Sequence, residues 1–200
     1  MGKEADYAGH NAAGNAAAVT RNLSLVRNEI AEAAAGIDEQ QLAVLASQIL
    51  QADRVFVAGA GRSGLVLKMA AMRLMHLGLT VHVAGETTTP AIRSGDLLLV
   101  ASGSGTTPGA VRSAETAAAA GARIAVVTTD AQSPLAETAD AVVIIPAARK
   151  TDHGSAVSRQ YSGSLFEQVL LFALEAVFQT LWESADRPAE ELWLRHANLE

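Results

Sequence analysis

The sequence predicts a doubly wound α/β domain on a parallel sheet of about five strands, with extra helices at both termini. From residue 55 onward, short aliphatic and β-branched runs alternate with longer segments at helical spacing. The short runs are almost continuously apolar, which is typical of strands buried on both faces and therefore parallel. The chain has 200 residues and 50% hydrophobic content, enough to bury one core. We find no internal repeat and no second domain.

The N-terminal part divides into a loose segment and two helices. Residues 1–18 are rich in Gly, Ala and Asn without a clear period, so we expect a flexible N-terminus followed by one domain over residues 19–200. Apolar residues recur at helical spacing from Val19 to Ala35. Asp38 is placed to cap a second helix that ends near Leu50.

The central part supplies the sheet. The predicted strands are Val55–Ala58, Val81–Val83, Leu97–Ala101, Ile124–Thr128 and Val142–Ile145. The predicted intervening helices are Ser63–Leu77, Pro108–Ala120 and Pro134–Glu137. This order predicts a doubly wound arrangement.

The last third breaks this alternation. Residues 149–163 form a polar stretch, and a helix is predicted from Leu165 to about Glu183. That helix is apolar on more than one face and needs burial on several sides, for which a subunit interface is the simplest source. A last short segment begins at Pro188.

Composition excludes several classes of function. The absence of cysteine removes disulfides, thiol nucleophiles and Cys-based zinc sites. A net charge of −6, a pI near 5.4 and 4% aromatic residues argue against nucleic acid as a partner. Mean hydropathy is +0.20, but no run reaches the roughly 18 apolar residues of a membrane helix. With no secretory pattern at the N-terminus, we expect a cytoplasmic protein.

Two loops at predicted strand ends are suited to a phosphate group. The first strand leads into Gly59-Ala-Gly-Arg-Ser-Gly64, and the third into Ser102-Gly-Ser-Gly-Thr-Thr107. In open parallel sheets ligands bind beyond the carboxyl ends of the strands. Hydroxyl groups together with free N–H groups at helix starts can hold a phosphate without a basic surface. One such loop could be an ordinary capped turn, but two at equivalent strand ends favour a ligand site.

A dinucleotide fold is the competing interpretation, because the first loop satisfies G-x-G-x-x-G. That fold also needs an acidic residue at the end of the second strand, and Glu86 lies two or three residues beyond it. It gives no reason for the hydroxyl groups of residues 102–107. The sequence contains no P-loop, no H-E-x-x-H and no G-x-S-x-G motif, and its five histidines lack metal-ligand spacing.

The paired loops resemble those of the sugar isomerase (SIS) fold, and this resemblance implies a flavodoxin-like arrangement of the five strands. Within it, three segments resemble the 6-phospho-3-hexuloisomerases: Arg73-Leu-Met-His-Leu-Gly78, Gly85-Glu-Thr-Thr-Thr-Pro-Ala-Ile92 and Gly163-Ser-Leu-Phe-Glu167. The closing Arg195-His-Ala-Asn-Leu-Glu200 also resembles that family. The resemblance covers roughly residues 20–200.

The resemblance implies isomerisation of D-arabino-hex-3-ulose 6-phosphate to D-fructose 6-phosphate in the ribulose monophosphate pathway of formaldehyde fixation. The carbonyl moves from C3 to C2 through a cis-enediol, which needs no metal and no other cofactor. It further implies a homo-oligomer, expected to be a tetramer, with active sites shared between chains. A non-catalytic SIS-type sugar-phosphate sensor is the alternative, ahead of a dinucleotide-binding protein.

The resemblance favours Glu167 as the base, with apolar neighbours that would raise its basicity. From the pattern alone, Ser164-x-x-Glu167 is equally a capping box, which would occupy the same carboxylate. His76 and His196 are alternative candidates for moving hydroxyl protons or opening the sugar ring. The simpler interpretation of His76 is a packed core residue, and that of His196 is a loose chain end.

The remaining assignments concern the substrate. We expect the phosphate to contact Ser63, Ser102, Ser104 and Thr107, with Thr106 close by. Gly61 and Arg62 should line the sugar side. Glu86 and Thr87 either touch sugar hydroxyls or cap a turn. No metal ligand is predicted.

Overall fold

The computed structural model describes residues 12–148 and 158–199. Residues 1–11, most of the predicted polar loop and Glu200 lie outside the described residues. The predicted flexibility therefore stays a prediction for residues 1–11. For residues 12–18 the structure has a helix instead of a loose segment.

Five parallel strands form the central sheet. They are β1 (Val55–Gly59), β2 (Val81–Val83), β3 (Leu97–Ala101), β4 (Arg123–Thr128) and β5 (Ala141–Ile144). Their order is β2-β1-β3-β4-β5, and every neighbouring pair is parallel. This is the flavodoxin-like order, so the predicted fold class is confirmed. The observed strand ends differ from the predicted ones by no more than one residue.

Seven helices surround the sheet in the described part of the chain. They are α1 (Ala12–Ala35), α2 (Glu39–Leu50), α3 (Gly61–His76), α4 (Pro108–Ala119), α5 (Pro134–Glu137), α6 (Ser164–Ala185) and α7 (Ala189–Trp193). The Asp38 side chain accepts a hydrogen bond from the N–H of Gln40, so the predicted cap of α2 is confirmed. Helix α1 begins seven residues before the predicted Val19, in an Ala-rich stretch whose helix propensity is high although its apolar period is weak.

Alternation along the strands divides the core into two layers. Val55, Val57 and Leu99 face the layer that contains α1, α2, α3 and α6. Phe56, Leu98 and residues of α4 pack in the other layer. Because side chains alternate across a strand, a near-continuous apolar strand fills both layers at once, which is what the sequence pattern predicted.

Helix α6 is enclosed by its own chain. It packs against α1, α2 and α3, and ten of its side chains are buried there. The expectation that a subunit interface supplies this burial is therefore wrong, because the two N-terminal helices and α3 supply it. Phe172, at 57% exposure, is the large apolar exception. In the described ranges α6 alone is long and apolar enough to cross a membrane, but 56% of its most apolar window is buried within the fold, as in a core helix.

Candidate active site

The two predicted loops meet at the point where the chain reverses its winding direction. Strands β1 and β3 are neighbours, with Gly59 opposite Ala101 at their carboxyl ends. Helix α3 leaves β1 toward one face of the sheet, whereas α4 leaves β3 toward the other face. Such a switch point opens a crevice between the two helix starts, where open α/β sheets bind ligands.

The first loop needs its glycines for geometry. Gly61 has a φ of +57°, in the left-handed region that favours glycine. A Cβ on Gly64 would lie 2.5 Å from the carbonyl oxygen of Gly59, so α3 can pack this closely on β1 only without that atom. The glycine pattern behind the dinucleotide alternative thus has a packing explanation. Ser63 lies in the first turn of α3 and is buried beside the helix start.

The second loop gathers hydroxyl groups in pairs. The Ser102 and Thr107 hydroxyls are hydrogen-bonded at 2.8 Å, and the Thr106 hydroxyl donates to that of Ser104 at 2.9 Å. Gly105, at a φ of +63°, makes the turn between them. Thr107 is the N-cap residue of α4, whose free N–H groups therefore face the same crevice. The structure brings the four hydroxyl side chains of this loop together, and their contact with a phosphate stays a prediction.

Glu167 lies in the first turn of α6, next to both loops. The neighbouring ring of Phe166 packs against the backbone at Gly103 in the second loop. The Glu167 side chain is 4% exposed, and its Oε2 forms an ion pair with Nε of Arg62, whose side chain is 63% exposed. The site therefore holds a buried carboxylate beside an accessible guanidinium, at the edge of two hydroxyl-bearing loops.

The capping-box interpretation of Glu167 is wrong. The N-cap residue of α6 is Gly163, at a φ of +87°, and Ser164 is already the first helical residue. A capping box needs a Ser or Thr side chain at the N-cap, which glycine lacks. The Glu167 carboxylate is directed to Arg62 instead.

Glu86 has a partner that the sequence did not indicate. Its Oε1 lies 2.6 Å from Nζ of Lys68 on α3, and both side chains are about half exposed. The hydrogen bond from Lys68 and its positive charge lower the pKa of Glu86. Thr87 follows it on the exposed turn after β2. Lys68 is thus a further cation on the helix that carries Arg62, and no motif distinguished it from other surface lysines.

The two histidine candidates form one unit, but at the other end of α3. The rings of His76 and His196 are stacked with centroids 4.0 Å apart, and Trp193 packs on His196. His76 is buried, and this desolvation lowers its pKa, with further contributions from His196 and Arg73. Helix α3 has 16 residues, so His76 lies roughly 22 Å along it from Gly61. Within one chain the structure does not bring these histidines to Glu167.

No metal-binding group of three or more His, Asp or Glu side chains occurs in residues 12–148 and 158–199. The carboxylates described above are engaged by cations instead, Glu167 by Arg62 and Glu86 by Lys68. What the crevice offers a ligand is neutral hydroxyl donors, helix N–H groups, one buried carboxylate and the Arg62 guanidinium.

Comparison with known proteins identifies the family to which this fold and crevice belong. The SIS domain family matches residues 48–172. The chain therefore belongs to the SIS domain family, as the loop resemblance predicted.

Within that family the similarity is narrower. The chain is 74% identical to 3-hexulose-6-phosphate isomerase of Mycobacterium gastri, over 91% of this chain and 92% of the relative. It is 38% identical to the Bacillus subtilis protein of the same name, over 90% of this chain and 98% of that one. A solved structure from Methanococcus jannaschii, for which a function of 3-hexulose-6-phosphate isomerase is inferred, has a TM-score of 0.77 at 30% identity and covers 90% of this chain and 99% of its own. The predicted resemblance to the hexuloisomerases is confirmed.

Proposed function

We propose that this protein is an isomerase that converts D-arabino-hex-3-ulose 6-phosphate to D-fructose 6-phosphate. The observation that carries the proposal is the placement of a buried carboxylate, Glu167, at the rim of two hydroxyl-rich loops in a switch-point crevice. The 74% identity to an isomerase of that name supports the substrate. A ketose phosphate needs both parts, since one end must be held while a proton is moved at the other.

The phosphate is assigned to the hydroxyl cluster. The hydroxyl oxygens of Ser102 and Thr107 are 2.8 Å apart, and the hydroxyls of Ser104 and Thr106 form the second hydrogen-bonded pair. Ser63 adds a hydroxyl in the first turn of α3. Together with the N–H groups at the starts of α3 and α4, these donors supply neutral hydrogen bonds and two favourably oriented helix dipoles to a dianion.

The proton transfer is assigned to Glu167. Its carboxylate removes the proton from C2 of the bound ketose. The electron pair forms the C2–C3 double bond, while the C3 carbonyl oxygen takes up a proton from water. The resulting cis-enediol then releases the proton of its C2 hydroxyl to water as the C2 carbonyl forms, and the proton held by Glu167 returns to C3. Atoms and electrons balance without an oxidant, and one buried base serves both halves.

Arg62 is assigned to the sugar oxygens. Its guanidinium contacts Glu167 yet is largely exposed, so it can donate to the ligand without leaving the carboxylate. A fixed positive charge beside the enediol oxygens stabilises the negative charge that develops there. Lys68 and Glu86, which form an ion pair with each other, are assigned to the outer sugar hydroxyls.

We assign the exposed apolar face of α3 to contact with a second copy of the chain. Helix α3 exposes Leu65, Met69 and Met72, at 62%, 45% and 51%, on positions that share one helical face. Exposed apolar stripes of this kind mark protein contacts, and a tetramer would cover them. Because the stacked His76 and His196 cannot reach Glu167 of their own chain, we propose that they serve the site of a neighbouring chain.

The cellular setting follows from the chemistry. The substrate is the product of adding formaldehyde to ribulose 5-phosphate, so the protein would act after a hexulose-phosphate synthase in the ribulose monophosphate pathway. The phosphorylated sugars of that pathway are retained in the cytoplasm, where we place the protein.

A coupled assay tests this function. Ribulose 5-phosphate, formaldehyde and a hexulose-phosphate synthase are supplied with EDTA, and fructose 6-phosphate is followed after adding this protein. We expect protein-dependent product, and loss of turnover by at least about 10²-fold in Glu167→Gln with unchanged melting temperature. Glu183→Gln, an exposed carboxylate on the same helix, is the matched control and should retain activity. No product from folded wild-type protein would refute the substrate assignment, and an active Glu167→Gln would refute the base.

A further inference from the structure

Glu29, on helix α1, accepts hydrogen bonds from the segment that leads into α6. Its Oε2 accepts hydrogen bonds from the Ser158 hydroxyl at 2.7 Å and from the Gln160 side-chain amide at 3.1 Å, and its Oε1 accepts one from the N–H of Arg159 at 2.8 Å. One carboxylate thus binds three consecutive residues. Helix α1 precedes the part of the chain that the SIS domain family matches, residues 48–172.

The contact continues from this segment to the start of α6. The Gln160 side-chain oxygen accepts a hydrogen bond from the amide of Gln168 at 2.9 Å. Gln168 is the residue after Glu167, in the first turns of α6. The path from α1 to Glu167 therefore consists of two side chains, Gln160 and Gln168, and the peptide bond that joins Gln168 to Glu167.

The contact depends on a charged acceptor. Burial alone would raise the pKa of Glu29, but the hydrogen bonds from Arg159, Ser158 and Gln160 outweigh it, so the pKa lies below its usual value. Glu29 is therefore ionised at neutral pH. Hydrogen bonds to an ionised acceptor are about twice as strong as neutral ones, and their geometry is correspondingly well defined.

The start of α6 lacks a side-chain cap of its own. Gly163, the N-cap residue, has a φ of +87° and no side chain with which to fix the first turn. The start of a helix without a side-chain cap frays more readily than a capped one. Glu167 lies in that first turn, so its position depends on what holds residues 158–163.

We infer that Glu29 is a positioning residue for the isomerase reaction, holding residues 158–160 so that the first turn of α6 keeps Glu167 against Arg62. This inference rests on the proposed function for its effect on turnover. Its structural part, the ordering of the start of α6 by a residue of α1, is independent of which substrate is used. Glu29 does not touch the ligand in this assignment, since it acts through Gln160 and Gln168.

The experiment compares Glu29→Ala, Glu29→Gln and the control Glu32→Ala, an exposed carboxylate on the same helix. We expect Glu29→Ala to lower kcat by roughly ten- to a hundredfold with little change in KM, because a base displaced by about 1 Å loses rate while the phosphate loops are untouched. Glu29→Gln keeps an oxygen acceptor and should recover part of kcat. Gln160→Ala in a Glu29→Ala background should add little, since both act along one path.

Amide hydrogen exchange is measured on the same variants. Glu29→Ala should increase exchange in residues 158–168 and leave β1 and β3 unchanged, whereas Glu32→Ala should resemble wild type. A wild-type kcat or an unchanged exchange pattern in Glu29→Ala would overturn the inference. If wild-type protein shows no turnover, the proposed function fails, and the exchange pattern still decides whether Glu29 orders the start of α6.

Discussion

Arg62 in the first turn of α3 forms an ion pair with Glu167 in the first turn of α6, joining the starts of two helices that pack against each other. The two side chains differ in exposure, since that of Glu167 is 4% exposed and that of Arg62 is 63% exposed. The carboxylate is therefore fixed by the fold, whereas the guanidinium can adjust to a ligand. This arrangement suits a reaction in which the base stays in place while charge develops on the substrate oxygens.

The first prediction concerns Arg62. We expect Arg62→Ala to lower kcat/KM by about 10²- to 10³-fold, the usual cost of removing one group that stabilises a developing oxyanion. The kcat/KM of Arg62→Lys should lie between those of wild type and Arg62→Ala, because an ammonium group keeps the charge but lacks the planar pair of donors. Steady-state kinetics in the coupled assay measures both. Because Arg62→Ala removes this ion pair from the buried Glu167 carboxylate, the melting temperature should fall, and the kinetics are measured well below it. Full activity in Arg62→Ala would contradict its role.

The second prediction concerns the turn at Gly105, in the loop of residues 102–107 to which we assign the phosphate. A Cβ on Gly105 would collide with the side chain of Ser133, and its φ of +63° is strained for any other residue. Gly105→Ala must therefore shift the loop and separate the hydroxyl pairs. We expect a lower melting temperature and a loss of the stabilisation that fructose 6-phosphate gives to wild-type protein.

Gly109 provides the matched control for that loop. It lies in the first turn of α4, and an added Cβ would meet nothing within 4 Å. Gly109→Ala should raise stability by about 0.5–1 kcal/mol, as expected for replacing Gly by Ala in a helix. If Gly105→Ala melts and binds fructose 6-phosphate like wild type, the tight turn is not what holds the hydroxyls together.

The third prediction concerns pH and the Arg54–Asp96 pair. Asp96 is fully buried and lies 2.5 Å from Nη2 of Arg54, with a further hydrogen bond from the N–H of Arg93 at 2.8 Å. Burial alone would raise the pKa of Asp96, but these hydrogen bonds and the charges of Arg54 and Arg93 lower it below its usual value. The carboxylate thus stabilises the folded state above its unfolded pKa, and this stabilisation is lost as the pH falls through the folded pKa.

Asp96→Asn should therefore have two effects. At neutral pH it should lower the free energy of unfolding by about 3 kcal/mol, because it leaves the Arg54 charge without its buried partner. Below about pH 5 the difference from wild type should shrink, since wild type loses the same contribution on protonation. Urea titrations at several pH values measure this. Glu175→Gln, which breaks the exposed pair with Arg73, should cost less than about 1 kcal/mol, and equal effects of the two variants would contradict the prediction.

The sheet was predictable from sequence because its signals are local. Each strand is a short apolar run, and parallel strands buried on both faces leave few other interpretations. The hydroxyl loop was predictable for the same reason, since Ser102 to Thr107 are contiguous. Helix α1 was predicted too short because an Ala-rich start has propensity without an apolar period.

The contacts of the candidate site depend on tertiary structure and were not predictable in this way. The pairing of Arg62 with Glu167 joins the starts of two helices distant in sequence, and nothing local to either residue indicates it. Ser164-x-x-Glu167 matched a capping box, but Gly163, in a left-handed conformation, occupies the N-cap position. The Glu167 carboxylate therefore pairs with Arg62 and does not cap the helix. Glu29 had no signal at all, because its three donors lie on a polar segment without periodicity.

The fourth prediction tests whether sites are shared between chains. His196 stacks on His76 at the end of α3 remote from Glu167, so a site that uses both a histidine and Glu167 must draw them from different chains. We expect Glu167→Gln and His196→Ala each to be nearly inactive alone. Co-expressed and purified through a different tag on each chain, the mixed oligomers should regain part of the turnover, because some sites combine an intact Glu167 with an intact His196.

The control for this experiment pairs two variants from the same half of the site. Co-expressed Glu167→Gln and Arg62→Ala should regain nothing, since these residues contact each other within one chain and every site then lacks one of them. Recovery in the first mixture but not in the second establishes a site built from two chains. No recovery in either mixture, with mixed oligomers demonstrated by tandem purification, would confine the chemistry to one chain and leave the histidine stack as a structural contact that fixes the C-terminal segment on α3.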